Sequence, residues 1–269
     1  MGARILHVSD LHIGAHEDPA VERALQAFAA REQPELVVAS GDLTHRARRE
    51  QHERAAELLR GLGFPVLAVP GNHDIPWAFS RLTHPFAEFD RVWPAREPVY
   101  GSSTLHVVGI DSVRPWRQQS GGVSPAGLAR AAERLGRAEP GALRVAVLHH
   151  QLLGAPWRTY KKPVARRGEV LRALADAGAE LIVGGHVHQS AVAERREFEV
   201  VADGSQPVVV AIAPGIGHPR PGRAGEARGL HVYEVEGTTL AVRTHVWLDG
   251  DWLLTGERRY GRRSVSPRP

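Results

Sequence analysis

Five short motifs, each placed where a β-rich run ends, constrain this chain more than any other feature of its 269 residues. Asp10-Leu11-His12 follows the run at 6–9, and Gly41-Asp42 follows the run at 36–40. Gly71-Asn72-His73-Asp74 closes the run at 66–69, which Pro70 interrupts. His149-His150 follows 144–148, and Gly185-His186-Val187-His188 follows 181–184. Helical stretches at 19–31, 50–62, 124–135 and 168–177 alternate with these runs, which predicts α/β layering. Pro19 near a helix start, and Ser124-Pro125 as N-cap and first helical residue, mark two of those boundaries. In layered α/β sheets the carboxyl edge of the strands is where ligands bind, so residues distant in sequence are expected to converge on one rim.

The residue types at those ends are all metal donors. Asp10 and Asp42 offer carboxylates, Asn72 an amide carbonyl, and His12, His149, His186 and His188 imidazoles. Such N/O sets suit Zn, Mn or Fe, and together they provide enough ligands for two ions, the arrangement used for in-line attack on phosphorus. Singly, each motif has a plainer explanation. Asp10 or Asp42 could cap a helix, and Gly71-Asn72 could be an ordinary turn. The ordered set, with two imidazoles alternating after paired glycines, has little packing logic. His7, His106, His231 and His245 lie in strand-like runs and read as structural. His150, His45 and His218 stand where they could reach the rim, while Trp77 and Trp116 are weaker candidates for contact with a substrate ring.

Composition narrows the classes. With no cysteine, disulfides, thiolate ligands and a cysteine nucleophile are excluded. Hydrophobic residues make up 42% and charged ones 24%, as in ordinary globular domains. The formal charge of +4 gathers partly in Arg258-Arg259-Tyr260-Gly261-Arg262-Arg263, so residues 1–252 read as one domain and 253–269 as a basic, flexible tail. The run after 188 turns β-rich, at 208–213, 230–235 and 240–247, with a Gly-, Pro- and Arg-rich loop at 214–229. No apolar signal core precedes the first motif and no stretch reaches membrane-spanning length, which makes a cytoplasmic location the expectation.

The series D-x-H, G-D, G-N-H-D, H and G-H-x-H, from Asp10 to His188, resembles the signature of the calcineurin-like metallophosphoesterase superfamily. That resemblance implies a four-layer α-β-β-α sandwich in a single domain. It also implies one metal on Asp10, His12, Asp42 and His188, and a second on Asp42, Asn72, His149 and His186. His73 would then protonate the leaving oxygen, with Asp74 orienting it through a carboxylate–imidazole hydrogen bond. Gly41-Asp42-Leu43-Thr44 with Asp74 resembles the bacterial branch of cyclic-nucleotide and glycerophosphodiester phosphodiesterases, although His45-Arg46-Ala47 stands where that branch often has Asp-x-Gly. The protein phosphatases carry Gly-Asp-x-x-Asp-Arg-Gly and Gly-Asn-His-Glu instead. The resemblance implies hydrolysis of a small phosphodiester, 3′,5′-cyclic AMP among the options, using two divalent or trivalent ions (Mn, Fe or Zn). Ser120-Gly121-Gly122 and Arg220, Arg223 and Arg228 resemble substrate-rim elements of that branch. A phosphomonoesterase or a nuclease on the same core is the alternative, with nucleic acid the less favoured partner. A non-catalytic scaffold is a third option that the complete ligand set disfavours, and a monomer and a homodimer both remain open.

Overall fold

The computed structural model describes residues 2–77, 79–117, 119–157, 160–201, 205–217 and 226–262. Two six-stranded sheets stack face to face. The first has the order β12-β11-β10-β1-β2-β3, built from β1 (Arg4–Val8), β2 (Leu36–Ala39), β3 (Val66–Ala68), β10 (Gly229–Glu236), β11 (Thr239–Leu248) and β12 (Asp251–Gly261). The second has the order β4-β5-β6-β7-β9-β8, built from β4 (Val99–Gly101), β5 (Leu105–Gly109), β6 (Leu143–Val147), β7 (Leu181–Gly184), β8 (Ala191–Glu194) and β9 (Val209–Ile212). The central strands of each sheet run parallel: β1, β2 and β3 in one, and β5, β6, β7 and β9 in the other. Strands covered on both faces read as continuous apolar runs, as Leu-Val-Val-Ala of β2 and Leu-Ile-Val-Gly of β7 do.

The alternation of side chains across each strand sorts the core into three layers. Ile5, Leu36, Val38 and Leu67 face Val107, Val145, Leu181 and Val183 between the sheets. Leu6, Val8, Val37 and Ala39 turn outward against Val21, Leu25 and Phe28 of α1 (Pro19–Glu32) and Ala55, Leu58 and Leu59 of α2 (Arg49–Arg60). Short helices α3 (Ser80–Thr83) and α4 (Ala87–Val92) follow, and Phe89 of α4 joins that layer. On the far side, Ala146, Ile182 and Val210 pack against Ala131 and Leu135 of α5 (Pro125–Leu135) and Val170, Leu171 and Leu174 of α6 (Arg167–Asp176). The result is the expected α-β-β-α sandwich. Truncating a residue such as Leu67 in the inter-sheet layer to alanine would cost about 2–5 kcal/mol.

α5 begins where Ser124 and Pro125 predict: the Ser124 hydroxyl accepts from Gly127 N–H at 3.1 Å. The expected flexible tail needs correction. Its first half is β12, hydrogen-bonded along β11, with Arg258 paired to Glu197 and Arg259 to Glu236. Its charges sit on a mostly exposed edge strand, where like-charged side chains discourage pairing with another sheet. Residues 263–269 lie outside the described residues. No helix among the described residues is long and apolar enough to cross a membrane.

Candidate metal centre

All five motifs sit just past the carboxyl ends of parallel strands, Asp10 after β1, Asp42 after β2, Asn72 after β3, His149 after β6 and His186 after β7. Three strands come from one sheet and two from the other, so the rim straddles the seam of the sandwich. The backbone there is bent sharply. Asp10, His12, Asp42, His186 and His188 all take positive φ, between 50° and 75°, and they are five of the nine such non-glycine residues described. That conformation is unfavourable for L-residues and persists only where the surroundings enforce it. Neighbouring glycines make room. A Cβ on Gly71 would lie 2.3 Å from Asp42 Oδ1, and one on Gly185 would lie 2.4 Å from Asp10 Oδ2.

The donors converge in two sets that share Asp42. Asp10, His12, Asp42 and His188 form one, and Asp42, His149 and His186 the other. His12 Nε2 lies 3.1 Å from His188 Nε2, which is itself 3.1 Å from Asp10 Oδ1. His149 Nε2 stands 3.3 Å from Asp42 Oδ1, 3.2 Å from Asn72 Oδ1 and 3.2 Å from His186 Nδ1. Ligands at right angles on bonds of ~2.1 Å are about 3 Å apart, so these spacings suit edges of a coordination polyhedron. Asp10 Oδ1 and Asp42 Oδ2 are buried without a hydrogen-bond partner. Orphaned oxygens of that kind demand a counterpart, and a cation between them supplies it. The residues fit two metal ions.

The remaining ring atoms are held by the backbone. His149 Nδ1 donates to Ser40 C=O at 2.8 Å and His186 Nε2 to Gln119 C=O at 2.9 Å, which turns His149 Nε2 and His186 Nδ1 inward. Asp10 Oδ2 accepts from Ser9 Oγ and His186 N–H. Burial works to raise the Asp10 and Asp42 carboxyls, but the imidazoles of His188 and His149 hold them well below the usual carboxylate range. Burial works to lower His149 as well, yet Asp42 lifts it to about 9, while burial takes His12 down to about 3. The His149–Asp42 pair thus favours the protonated imidazole, and a cation taken up there competes with that proton.

His73 flanks the rim without joining either set. Its N–H donates to Asp42 Oδ1 at 2.7 Å, and its Nδ1 donates to His45 C=O at 3.0 Å, leaving Nε2 as the atom that can exchange a proton. The expected Asp74–His73 hydrogen bond is absent. Asp74 is buried and accepts instead from Leu43 N–H, Thr44 N–H and Gly71 N–H, at 3.1, 2.8 and 2.8 Å. It ties the β2 and β3 loops together, and His73 is oriented by a carbonyl. Thr44 and Asn72-adjacent Gly71 thus matter to the site through Asp74, a role invisible in linear spacing.

Other candidates divide. His45 lines a cleft of about 460 Å³ beside the rim, together with His12, His16, Arg46, Arg48, Gln51, His73 and His188. Trp77 stands edge-on to His73 with ring centroids 5.7 Å apart. Trp116 lies elsewhere, in a second cleft with Arg96 and Arg130. His150 is buried with Nδ1 2.9 Å from Ser112 Oγ and its ring centroid 4.8 Å from that of His186, and Arg228 is buried against Asp18 at 2.8 Å. Gln119, next to the expected Ser120-Gly121-Gly122 element, reaches the site through its carbonyl, which accepts from His186 Nε2. His218, Arg220 and Arg223 lie outside the described residues. His7, His106, His231 and His245 are buried in the sheets, as expected. Arg48, His16 and Gln51 carry no motif signal, and only the fold brings them to the cleft.

The family model for the calcineurin-like phosphoesterases matches residues 3–190. The chain belongs to that family. Among curated proteins, it is 31% identical over 130 residues to a probable cyclic nucleotide phosphodiesterase of Synechococcus sp., covering 44% of this chain and 47% of that protein. It is 38% identical over 60 residues to the glycerophosphodiester phosphodiesterase GpdQ of Enterobacter lignolyticus, covering 22% of each. The chain thus spans less than half the length of these relatives. Among solved structures, a purple acid phosphatase from yellow lupin seeds superposes with a TM-score of 0.72 at 12% identity, over 97% of this chain and 54% of that one, a likeness of fold.

Proposed function

We propose that this calcineurin-like phosphoesterase is a dinuclear metal-dependent phosphodiesterase acting on a small diester. The observation that carries the reading is the pair of donor sets joined at Asp42, with two buried carboxylate oxygens left unpartnered. Asp10, His12, Asp42 and His188 would hold one ion, and Asp42, Asn72, His149 and His186 the other. Mn, Fe and Zn all suit that donor chemistry. Two such ions acidify water and neutralise phosphoryl oxygens, the requirements for in-line displacement at phosphorus.

The chain's own residues supply the rest. Asp42, on the loop after β2, accepts at Oδ1 from the backbone N–H of His73 on the loop after β3, which ties the shared ligand to the proton donor. His73 delivers its proton from Nε2 to the departing alkoxide, because the His45 carbonyl occupies Nδ1. No side chain here needs to form a covalent bond to phosphorus. The cleft of about 460 Å³ on the His73 side has room for a second ester substituent, which favours a diester over a monoester. The curated likeness to a probable cyclic nucleotide phosphodiesterase and to a glycerophosphodiesterase supports the same class.

The test is hydrolysis by metal-stripped, Mn-reconstituted protein of bis(p-nitrophenyl) phosphate against p-nitrophenyl phosphate, with Asp42→Ala as the blank. A Mn-dependent preference for the diester is expected. Preference for the monoester would make the protein a phosphatase, and silence on both esters would overturn the catalytic reading.

A further inference from the structure

The cleft beside the rim has an electrostatic character that hydrolysis of a simple diester does not require. Its ten lining residues include His16, His45, Arg46 and Arg48 and not one carboxylate. Arg46 and Arg48 are exposed, and among the described residues neither guanidinium has a carboxylate partner. Their neighbours on α2 differ: Arg49 pairs with Glu53 and Arg54 with Glu22. The two cleft arginines flank Ala47, whose φ of 51° makes a left-handed turn. Thr44 Oγ1 accepts from Ala47 N–H at 3.1 Å, and Gln51 Oε1 accepts from Arg46 N–H at 2.9 Å. The turn is therefore pinned at both ends. With its oxygen engaged, the Gln51 amide leaves its nitrogen, a donor only, against Gly14 in the cleft wall. The wall starts at His12, His73 and His188 of the rim, so whatever fills it is continuous with the rim on the side of His73, the residue assigned above as proton donor to the leaving alcohol.

Resting on the phosphodiesterase reading above, we infer that the cleft takes a leaving alcohol that itself carries a second phosphate, gripped by Arg46 and Arg48. A guanidinium pair on a rigid turn, with a donor-only amide beside it, matches the acceptor-only surface of a phosphate. The start of α2 at the same wall adds the positive end of a helix dipole. The volume suits a phosphorylated polyol or sugar rather than a polymer.

The experiment uses competition against bis(p-nitrophenyl) phosphate hydrolysis by the Mn-loaded protein. The competitors are a matched pair, glycerophosphoinositol and glycerophosphoinositol 4-phosphate, which differ by one phosphate. The expected inhibition constants differ by about tenfold or more in favour of the phosphorylated compound. In Arg46→Gln/Arg48→Gln that ratio is expected to fall to within about threefold, and because it is a ratio, any change at the metal centre cancels. Arg23→Gln, an exposed arginine on α1 outside the cleft, is expected to keep the wild-type ratio. A wild-type ratio near one, or a ratio that survives the double substitution, overturns the inference. So does a fall of equal size in Arg23→Gln, which would mean net charge and not the cleft. Tighter competition by a 12-nucleotide DNA strand, with steep salt dependence, would replace the small-molecule assignment by a nucleic acid one. If the wild type hydrolyses no diester, the function proposed above fails by itself, and calorimetric titration with the same two compounds still decides the cleft.

Discussion

Two clusters of largely buried histidines come within a few residues of each other at the ends of β1 and β2, and they are built on opposite principles. At the rim, His12, His149, His186 and His188 point nitrogen at nitrogen or at carboxylate, the backbone of all of them but His149 is left-handed, and two carboxylate oxygens have no hydrogen-bond partner. One layer down, His7 reaches Ser40 Oγ at 2.8 Å and Tyr233 OH at 2.9 Å; His231 reaches the same hydroxyl at 3.1 Å and Ser190 Oγ at 2.9 Å. Every ring nitrogen there has a partner, no carboxylate takes part, and none of the five residues has positive φ. Burial alone therefore does not mark a functional histidine. The distinguishing sign is the combination of unsatisfied polarity with backbone strain: His52 and His245 also keep buried ring nitrogens without a partner, but neither has positive φ.

The largest effect should come from the residue common to both donor sets. Asp42→Asn keeps an oxygen for the His73 N–H but lacks the charge to join two cations. Activity on bis(p-nitrophenyl) phosphate is expected to fall by roughly a thousandfold or more, given the several kcal/mol such ions supply. Bound metal, counted by plasma emission spectrometry, is expected to drop from two ions to at most one. Two retained ions would break the assignment of Asp42 as the shared ligand.

His73→Ala separates proton donation from metal holding. Turnover of a diester with a poor leaving alcohol is expected to slow by about a hundredfold, with a much smaller change for p-nitrophenolate, which needs little protonation. Metal content should stay near wild type. Equal losses for both leaving groups would reduce His73 to a positioning role through its contact with Asp42.

Tyr233→Phe tests the lower cluster. It removes the hydroxyl shared by His7 and His231 and leaves their Nδ1 atoms buried and unpaired, at a cost of ~1–3 kcal/mol. Denaturant melts should show that loss equally with and without Mn, because no metal donor is touched. A loss confined to the Mn-loaded protein would mean the two clusters are coupled through Ser40, whose carbonyl holds His149.

The same contrast explains what was legible in the sequence. The rim ligands could be read because metal donors at successive strand ends are a pattern of types and spacings. α5 could be read because Ser124 and Pro125 mark its start chemically. The hydrogen bond to His73 that the family resemblance implies for Asp74 gives way to a longer-range tie, because its carboxylate is drawn to the Leu43 and Thr44 amides about thirty positions away. The hold on His73, His149 and His186 comes from the carbonyls of His45, Ser40 and Gln119, and a carbonyl is present at every residue, so no letter announces it. β12 reads as a tail in the sequence because an exposed edge strand does not need an apolar face, and Glu257-Arg258-Arg259 gives none. The Arg46–Arg48 cleft emerges only when the Ala47 turn is seen folded against Gln51.

The smallest effect, and the finest test of the contrast, is in the acid range. Burial first, and then His245, takes His231 down to about 3, far below the ordinary 6.5. Between those values the unfolded chain binds a proton that the folded chain refuses. The stability this histidine contributes is thus fully present above 6.5 and is lost as pH falls toward 3, with a slope of at most ~1.4 kcal/mol per pH unit. His149 runs the other way: Asp42 raises it to about 9, so in metal-free protein its contribution is complete below 6.5 and fades as pH rises through 9. Urea unfolding of metal-free wild type and His231→Gln from pH 4 to 7 should show a shallower acid loss in the variant, whose amide can still bridge Tyr233 and Ser190 without titrating. Parallel pH profiles would mean that the lower cluster opens to water before the protein unfolds, and that its completed hydrogen bonds are less rigid than the strained rim above it.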